Sequence, residues 1–239
     1  MSSIKNKTEE EQQSKRRLQV IELYKTRLVY LKNAQVYIKE DKFMLAVDAY
    51  NKYLGTLALY FDTKEDKLTP NLFDPKKDLT EMLLVSHAYW DLAKAYDRTP
   101  SLQKEALRCL EQFAKFTIGF KYQHVNAQMV RKYIQKKQAH NLKAFEAIYH
   151  RIQVSSKKCY IATHCFGETH PKTEMLRTFK KRIADKESGK DFIDIYYRLS
   201  PAVVDILEQH PALNKFITQM IAKPFLNFFI LMIKPYVHN

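Results

Sequence analysis

The sequence predicts an all-α protein, and three observations carry the prediction. Apolar residues recur at helical spacing through most of the chain. Only 4 glycines occur in 239 residues, too few for the tight turns and primed hairpins of open α/β and all-β folds. No Walker loop, dinucleotide fingerprint or EF-hand is present, and the mechanics of each require glycine at a fixed place. At 239 residues, 46% of them hydrophobic, the chain is long enough for one large domain or two small ones with an apolar core. Its 40 Lys+Arg against 26 Asp+Glu leave a formal net charge of +14, which favours anionic partners. The leader MSSIKNKTEEEQQSKRR lacks the apolar stretch of a secretory signal, and Cys109, Cys159 and Cys165 are too few and too unevenly spaced for a disulfide framework. A cytoplasmic protein with reduced thiols is expected, peripheral at the inner membrane if its C-terminus meets lipid.

In chain order, Leu18, Ile21, Leu28, Leu31, Ala34 and Ile38 mark one side of a first helix, and Asp41-Lys42 break it. Phe43, Ala46, Val47, Tyr50, Leu54 and Leu57 mark a second from Phe43 to Phe61, so the two can pack as an antiparallel hairpin. Residues 62–78, with two prolines and mixed charges, read as a connecting loop. Ala34, Tyr37, Ala46 and Tyr50 are spaced like the small and aromatic positions of a tetratricopeptide repeat. Ala93 and Tyr96 echo the first pair, Ala106 and Leu110 follow one residue late, and Thr99-Pro100 lies at the turn. Over residues 31–115 the chain thus resembles tetratricopeptide hairpins, which implies partner binding through Tyr37, Tyr50 and Tyr96. An ordinary helical bundle needs the same small residues. Cys109 falls inside a helix over 102–117 and is expected in its core.

Residues 122–154 read as one further helix through Val125, Met129, Ile134, Leu142, Phe145, Ile148 and Ile152. From Lys121 to Lys158 nine Lys and Arg residues meet Glu146 alone, a local net of +8. Arg131, Lys132, Lys136, Lys137 and Lys143 are the candidate binding residues there, for an acidic partner, an anionic membrane or nucleic acid. A solvated helix face is the plainer alternative. No zinc finger, RNA-recognition sequence or helix-turn-helix accompanies the row.

The stretch from Cys159 carries the most information. Cys159, Ile161, Ala162, Thr163, Phe166 and Gly167 are followed in order by Leu176-Arg177, Phe179, Arg182, Gly189, Tyr196-Tyr197, Ser200-Pro201 and His210-Pro211. In this string residues 159–224 resemble the bacterial C-terminal module called the CFI-box domain, a family without an established biochemical activity. By residue type alone, CYIAT suits a short helix or buried turn, Thr163 suits a cap, and Gly167 suits a positive φ where the chain reverses. Helices are expected from Pro171 or Thr173 through Ile183, from Lys190 to Leu199, from Pro201 and from Pro211. Phe166, Leu176, Phe179, Phe192, Ile195, Tyr196 and Leu199 form the expected core of this compact module, with Tyr197 at its rim. The two parts divide at 155/156, giving 1–155 and 156–239.

Three roles compete for Cys159. It is a small buried hydrophobe; or a nucleophile or redox thiol activated by His164, His170, His210 or Arg177; or a zinc ligand with His164, Cys165 and His170. The adjacency of His164 and Cys165 argues against the metal, because neighbouring side chains diverge, and no cofactor is called for. Arg177 is expected to bridge carbonyls or Asp194. Phe225 to Ile233, bounded by Lys223-Pro224 and Lys234-Pro235, is nine residues long, too short to span a bilayer. It reads as a buried or partner-covered helix, then as an interfacial membrane contact, and last as a true anchor. The functional expectation is a non-enzymatic adaptor that docks a protein partner or an anionic membrane surface. A cysteine-dependent enzyme or redox thiol protein centred on Cys159 is the alternative, and nucleic-acid binding by the basic helix is the second.

Overall fold

A computed structural model describes residues 2–156 and 159–238, and among them no strand occurs. The helices form two compact units, Met1–Thr117 with Gln138–Ala144, and Ile118–Lys137 with Phe145–Asn239. This division differs from the expected 155/156 junction, of which Lys157 and Lys158 lie outside the described residues.

In the first unit α1 (Ser2–Lys39) packs on α2 (Phe43–Tyr60) across a turn in which Asp41 adopts φ 55°. Ala34 and Ala46 are fully buried, because only a residue as small as alanine lets two helix backbones approach this closely. α3 (Leu79–Asp97) packs on α2 and on α4 (Gln103–Lys115). Tyr53, Leu54, Met82, Tyr89, Phe113 and Phe116 fill the space between them. The 62–78 segment contributes more than a link: its 3-10 turns Glu65–Lys67 and Pro70–Leu72 bury Leu68 and Phe73 in the same core. Cys109 is buried there as expected, and burial pushes its thiol up to about 12.

Several buried polar groups in this unit are paired between elements far apart in the chain. Arg27 donates to both oxygens of Glu81 at 3.1 and 2.7 Å, and the Tyr53 hydroxyl donates to the same carboxylate at 2.8 Å. Arg108 donates to Glu65 at 2.8 Å, and Tyr89 to the Glu65 carbonyl at 3.1 Å. The Asp97 carboxylate accepts the backbone N–H groups of His140 and Asn141 at 2.7 and 3.0 Å. That clamp corrects the single helix expected over 122–154. The chain forms α5 (Gln123–Gln135) and α6 (Leu142–Val154), with Lys137 left-handed at φ 53° between them. A helix over 136–141 would withdraw the two amides that Asp97 holds.

In the second unit α7 (Tyr160–Phe166) packs on α8 (Pro171–Ile183) and α9 (Glu187–Gln209). α6 is tied to them by Tyr149, which donates to Asp194 at 2.8 Å, and by His150, whose Nε2 lies 2.8 Å from the Ala184 carbonyl. Gly167 ends α7 at φ 94°, ψ 163°, a conformation essentially confined to glycine. Thr163 lies inside α7 and does not cap it; the N-cap position is Cys159. His170 caps α8, its Nδ1 accepting the Lys172 N–H at 3.1 Å, with Pro171 at the first turn. Gly189 lets α9 begin hard against the end of α8, since a Cβ there would lie 1.8 Å from the Ile183 carbonyl oxygen.

Two expectations for α9 fail together. The helix runs through position 201 without a break, and Phe192, Ile195 and Leu199 are exposed. The buried stripe is Ile193, Tyr197, Ser200 and Leu207, so Tyr197 is core and not rim. A proline inside a helix costs about 3 kcal/mol, and burial of a stripe that continues to Leu207 offsets it. Finally α10 (Pro211–Ile217) passes through a π turn, Thr218–Ala222, into α11 (Lys223–His238).

Candidate functional site: the Cys159 cavity and the terminal helix

Cys159 stands at the head of α7 and is 8% exposed, packed with Ala162, Leu176, Ile230 and Ile233. Its sulfur accepts a hydrogen bond from the Tyr196 hydroxyl at 3.5 Å, and the same oxygen accepts the Ile161 N–H at 3.2 Å. Burial, reinforced by the sulfur, pushes the Tyr196 phenol far up, so at neutral pH it is a donor and not a base.

Of the proposed activators of the thiol, His164, His170 and Arg177 hold other partners. His164 places Nε2 2.7 Å from Asn214 Oδ1 and Nδ1 3.8 Å from Glu208. His170 is the cap of α8, and its ring stacks on Phe166. His210 is exposed at the junction of α9 and α10. Arg177 is buried and donates to the Glu168 carbonyl at 2.9 Å and to Glu174 at 3.0 Å. The carbonyl contact matches expectation; Asp194 takes Tyr149 instead. Cys159 and His164 line one pocket together with Thr163, Glu168 and Glu208, but Cys159, His164, Cys165 and His170 do not form a common ligand set. Among the described residues no group of three His, Cys, Asp or Glu side chains can hold a metal ion.

The neighbour that sequence reasoning missed is Lys180. It is buried, and its ammonium donates to the carbonyls of Ser156 and Gln153 and, at 2.8 Å, to the Tyr197 hydroxyl. Burial lowers its pKa to about 8, partly opposed by the sulfur of Cys159. Helical spacing is the signal that could have found it: Lys180 stands seven residues after Thr173 and four after Leu176, on the buried stripe of α8, whereas Lys181 is exposed.

Beside the sulfur lies a cavity of about 350 Å³, walled by Cys159, Ala162, Leu176, Phe179, Tyr196 and Phe225 among others, with the Lys180 stem at its margin. Its outer wall belongs to α11, and here the nine-residue expectation is corrected. The helical run Pro211–Pro235 is 25 residues long with a window of mean hydropathy 1.6, the one such helix among the described residues long and apolar enough to cross a membrane by length and composition. Lys223-Pro224 does not stop it, because Pro224 follows the π turn, where the hydrogen-bond ladder is already shifted. One side of α11 is anchored by Ile230 and Ile233. The other leaves Phe225, Phe228, Leu231 and Met232 between 58% and 69% exposed. Asn227, the polar residue of this stretch, accepts from Lys172 at 2.7 Å.

The remaining candidates divide. Tyr50 is 2% exposed and its hydroxyl donates to Asp91, so it is core and cannot be offered to a partner. Tyr37 and Tyr96 are half-buried, and Tyr96 accepts from Asn51 at 3.2 Å. Lys132, Lys136, Lys137 and Lys143 are exposed and Arg131 is half-buried; Arg131 and Lys132 lie on α5, Lys136 and Lys137 follow its end, and Lys143 lies on α6, so the five do not share one helix. No family model, curated protein or solved structure matches the chain.

Proposed function

We propose that the protein is a non-enzymatic adaptor that docks on an anionic membrane surface through the exposed apolar side of α11 and the neighbouring exposed residues of α9. The observation that carries this is the row Phe225, Phe228, Leu231 and Met232, large, exposed and uninterrupted by charge between Lys223 and Lys234. Water exacts roughly 1.5–3 kcal/mol for each such side chain left uncovered. Lysines at both ends of the row can reach anionic headgroups while their stems stay with the apolar surface, and the net charge of +14 draws the whole chain to the same surface.

Interfacial docking suits this helix better than spanning. Ile230 and Ile233 are already committed to the cluster around Cys159, and a spanning helix would have to surrender that contact. The helix pairs of the first unit are the proposed holders of a protein partner. The resemblance of residues 159–224 to the CFI-box module belongs to the same proposal. It is supported by the demanding backbone roles of Gly167 and Gly189 and the carbonyl-bound Arg177, three residues of the string.

Sedimentation with vesicles tests the docking. Binding to phosphatidylglycerol vesicles, weaker on phosphatidylcholine and falling with salt, is the expected result. Its absence, or its persistence in a Phe228→Glu/Leu231→Glu variant, overturns the proposal. So does self-association that consumes the row in solution and excludes vesicles.

A further inference from the structure

We infer that the cavity beside Cys159 is a binding site for a single aliphatic chain, the acyl chain of a fatty acid or lipid. At about 350 Å³ it holds on the order of ten to twelve non-hydrogen atoms at roughly 30 Å³ each, within the usual range of ligand pockets. The polar groups at its margin are turned to other partners. The Lys180 ammonium is spent on two carbonyls and Tyr197, and the Tyr196 hydroxyl on the sulfur. A headgroup finds no donor or acceptor from these residues, whereas a methylene chain meets Phe179, Leu176, Ala162 and the thiol. An apolar cavity of this kind is a poor host for water and a good one for hydrocarbon.

The mouth is where such a chain would arrive. Phe192, Ile221 and Phe225 line the cavity, yet each is more than half exposed, so the wall of the pocket and the apolar docking surface are one continuous patch. The inference rests on the docking proposal for the source of the chain, a membrane lipid; the selectivity of the cavity for hydrocarbon holds for a free fatty acid as well.

The full chain is titrated with dodecanoate, dodecanol and butanoate without vesicles, followed by calorimetry and by the rate at which an alkylating reagent modifies Cys159, read by peptide mass mapping. Expected are one dodecanoate or dodecanol per chain with affinities within about threefold of each other, no butanoate binding, and at least tenfold slower alkylation of Cys159 when the chain is bound. Ile221→Trp, at the exposed mouth, should weaken dodecanoate at least tenfold while leaving the helical circular dichroism unchanged. Absence of stoichiometric binding, no protection of Cys159, or full affinity in Ile221→Trp overturns the inference. Vesicle sedimentation of the same samples separates the two readings. Docking without chain uptake defeats the cavity alone, and chain uptake without docking defeats the membrane proposal and identifies free fatty acid as the source.

Discussion

The two units handle apolar surface in opposite ways. In the first, exposed apolar residues such as Leu18, Leu28 and Val29 stand among Lys15, Arg16, Arg17, Glu22, Lys25 and Lys32 on α1, and the interior is closed by an ion pair and a hydroxyl on Glu81, a hydroxyl on Asp91 and backbone amides on Asp97. In the second, α11 exposes four large side chains in a row without a charge among them, beside an open apolar cavity. Scattered exposed leucines are ordinary on any soluble surface, whereas a contiguous apolar row marks a contact that another body completes. The first unit spends its polar chemistry on stability, and the second leaves apolar surface for binding.

The sharpest way to break this comparison is to charge each surface in turn. Phe228→Glu/Leu231→Glu should reduce vesicle affinity a hundredfold or more, from roughly 1.5–3 kcal/mol per lost side chain, while Leu18→Glu should stay within twofold in the same sedimentation assay. Next in size is the interior of the first unit. Glu81→Ala leaves the Tyr53 hydroxyl without its acceptor and the Arg27 guanidinium with only the Tyr24 carbonyl and ring, and should cost about 3–4 kcal/mol in urea unfolding; a loss below 1 kcal/mol would mean that this network contributes little.

Lys180 supplies a pH signature for the second unit. The unfolded lysine keeps its proton up to about 10.5, but the folded one gives it up at about 8. Between these values the unfolded state binds more protons, so stability rises with pH, by about 3 kcal/mol at 1.36 kcal/mol per unit. Below pH 8 both states are protonated and the penalty is constant. Urea unfolding of wild type against Lys180→Met should show a stability difference that moves in favour of wild type from pH 8 to 10.5; a pH-independent difference would show that the folded ammonium keeps an ordinary affinity for its proton.

The smallest effects come from two glycines and should differ in sign. Gly167→Ala forces a side chain into φ 94°, with open space around it, and should cost about 1–3 kcal/mol through backbone strain alone. Gly55→Ala lies in the body of α2, also with nothing within 4 Å, and should stabilise by about 0.5–1 kcal/mol. Thermal unfolding of the pair distinguishes a glycine demanded by its conformation from one merely tolerated.

Much of this was legible in the sequence because it is local. Pro171 and Pro211 at helix starts and the positive φ of Gly167 each depend on a residue and its chain neighbours, and each lies where the sequence places it. Tertiary structure alone decided which stripe of α9 is buried, since Ile193 and Tyr197 compete with Phe192, Ile195 and Leu199 and periodicity is satisfied by either. It also broke the 122–154 helix, through Asp97 some 40 positions earlier, and carried the terminal helix past Lys223-Pro224. Above all it took Lys180 out of water and set it beside the cavity that Cys159 lines, while His164 and His170 found an amide and a cap instead. Propensity and spacing are properties of neighbours along the chain; burial, and with it the chemistry of a thiol or an ammonium, is a property of what the rest of the chain brings to the same place.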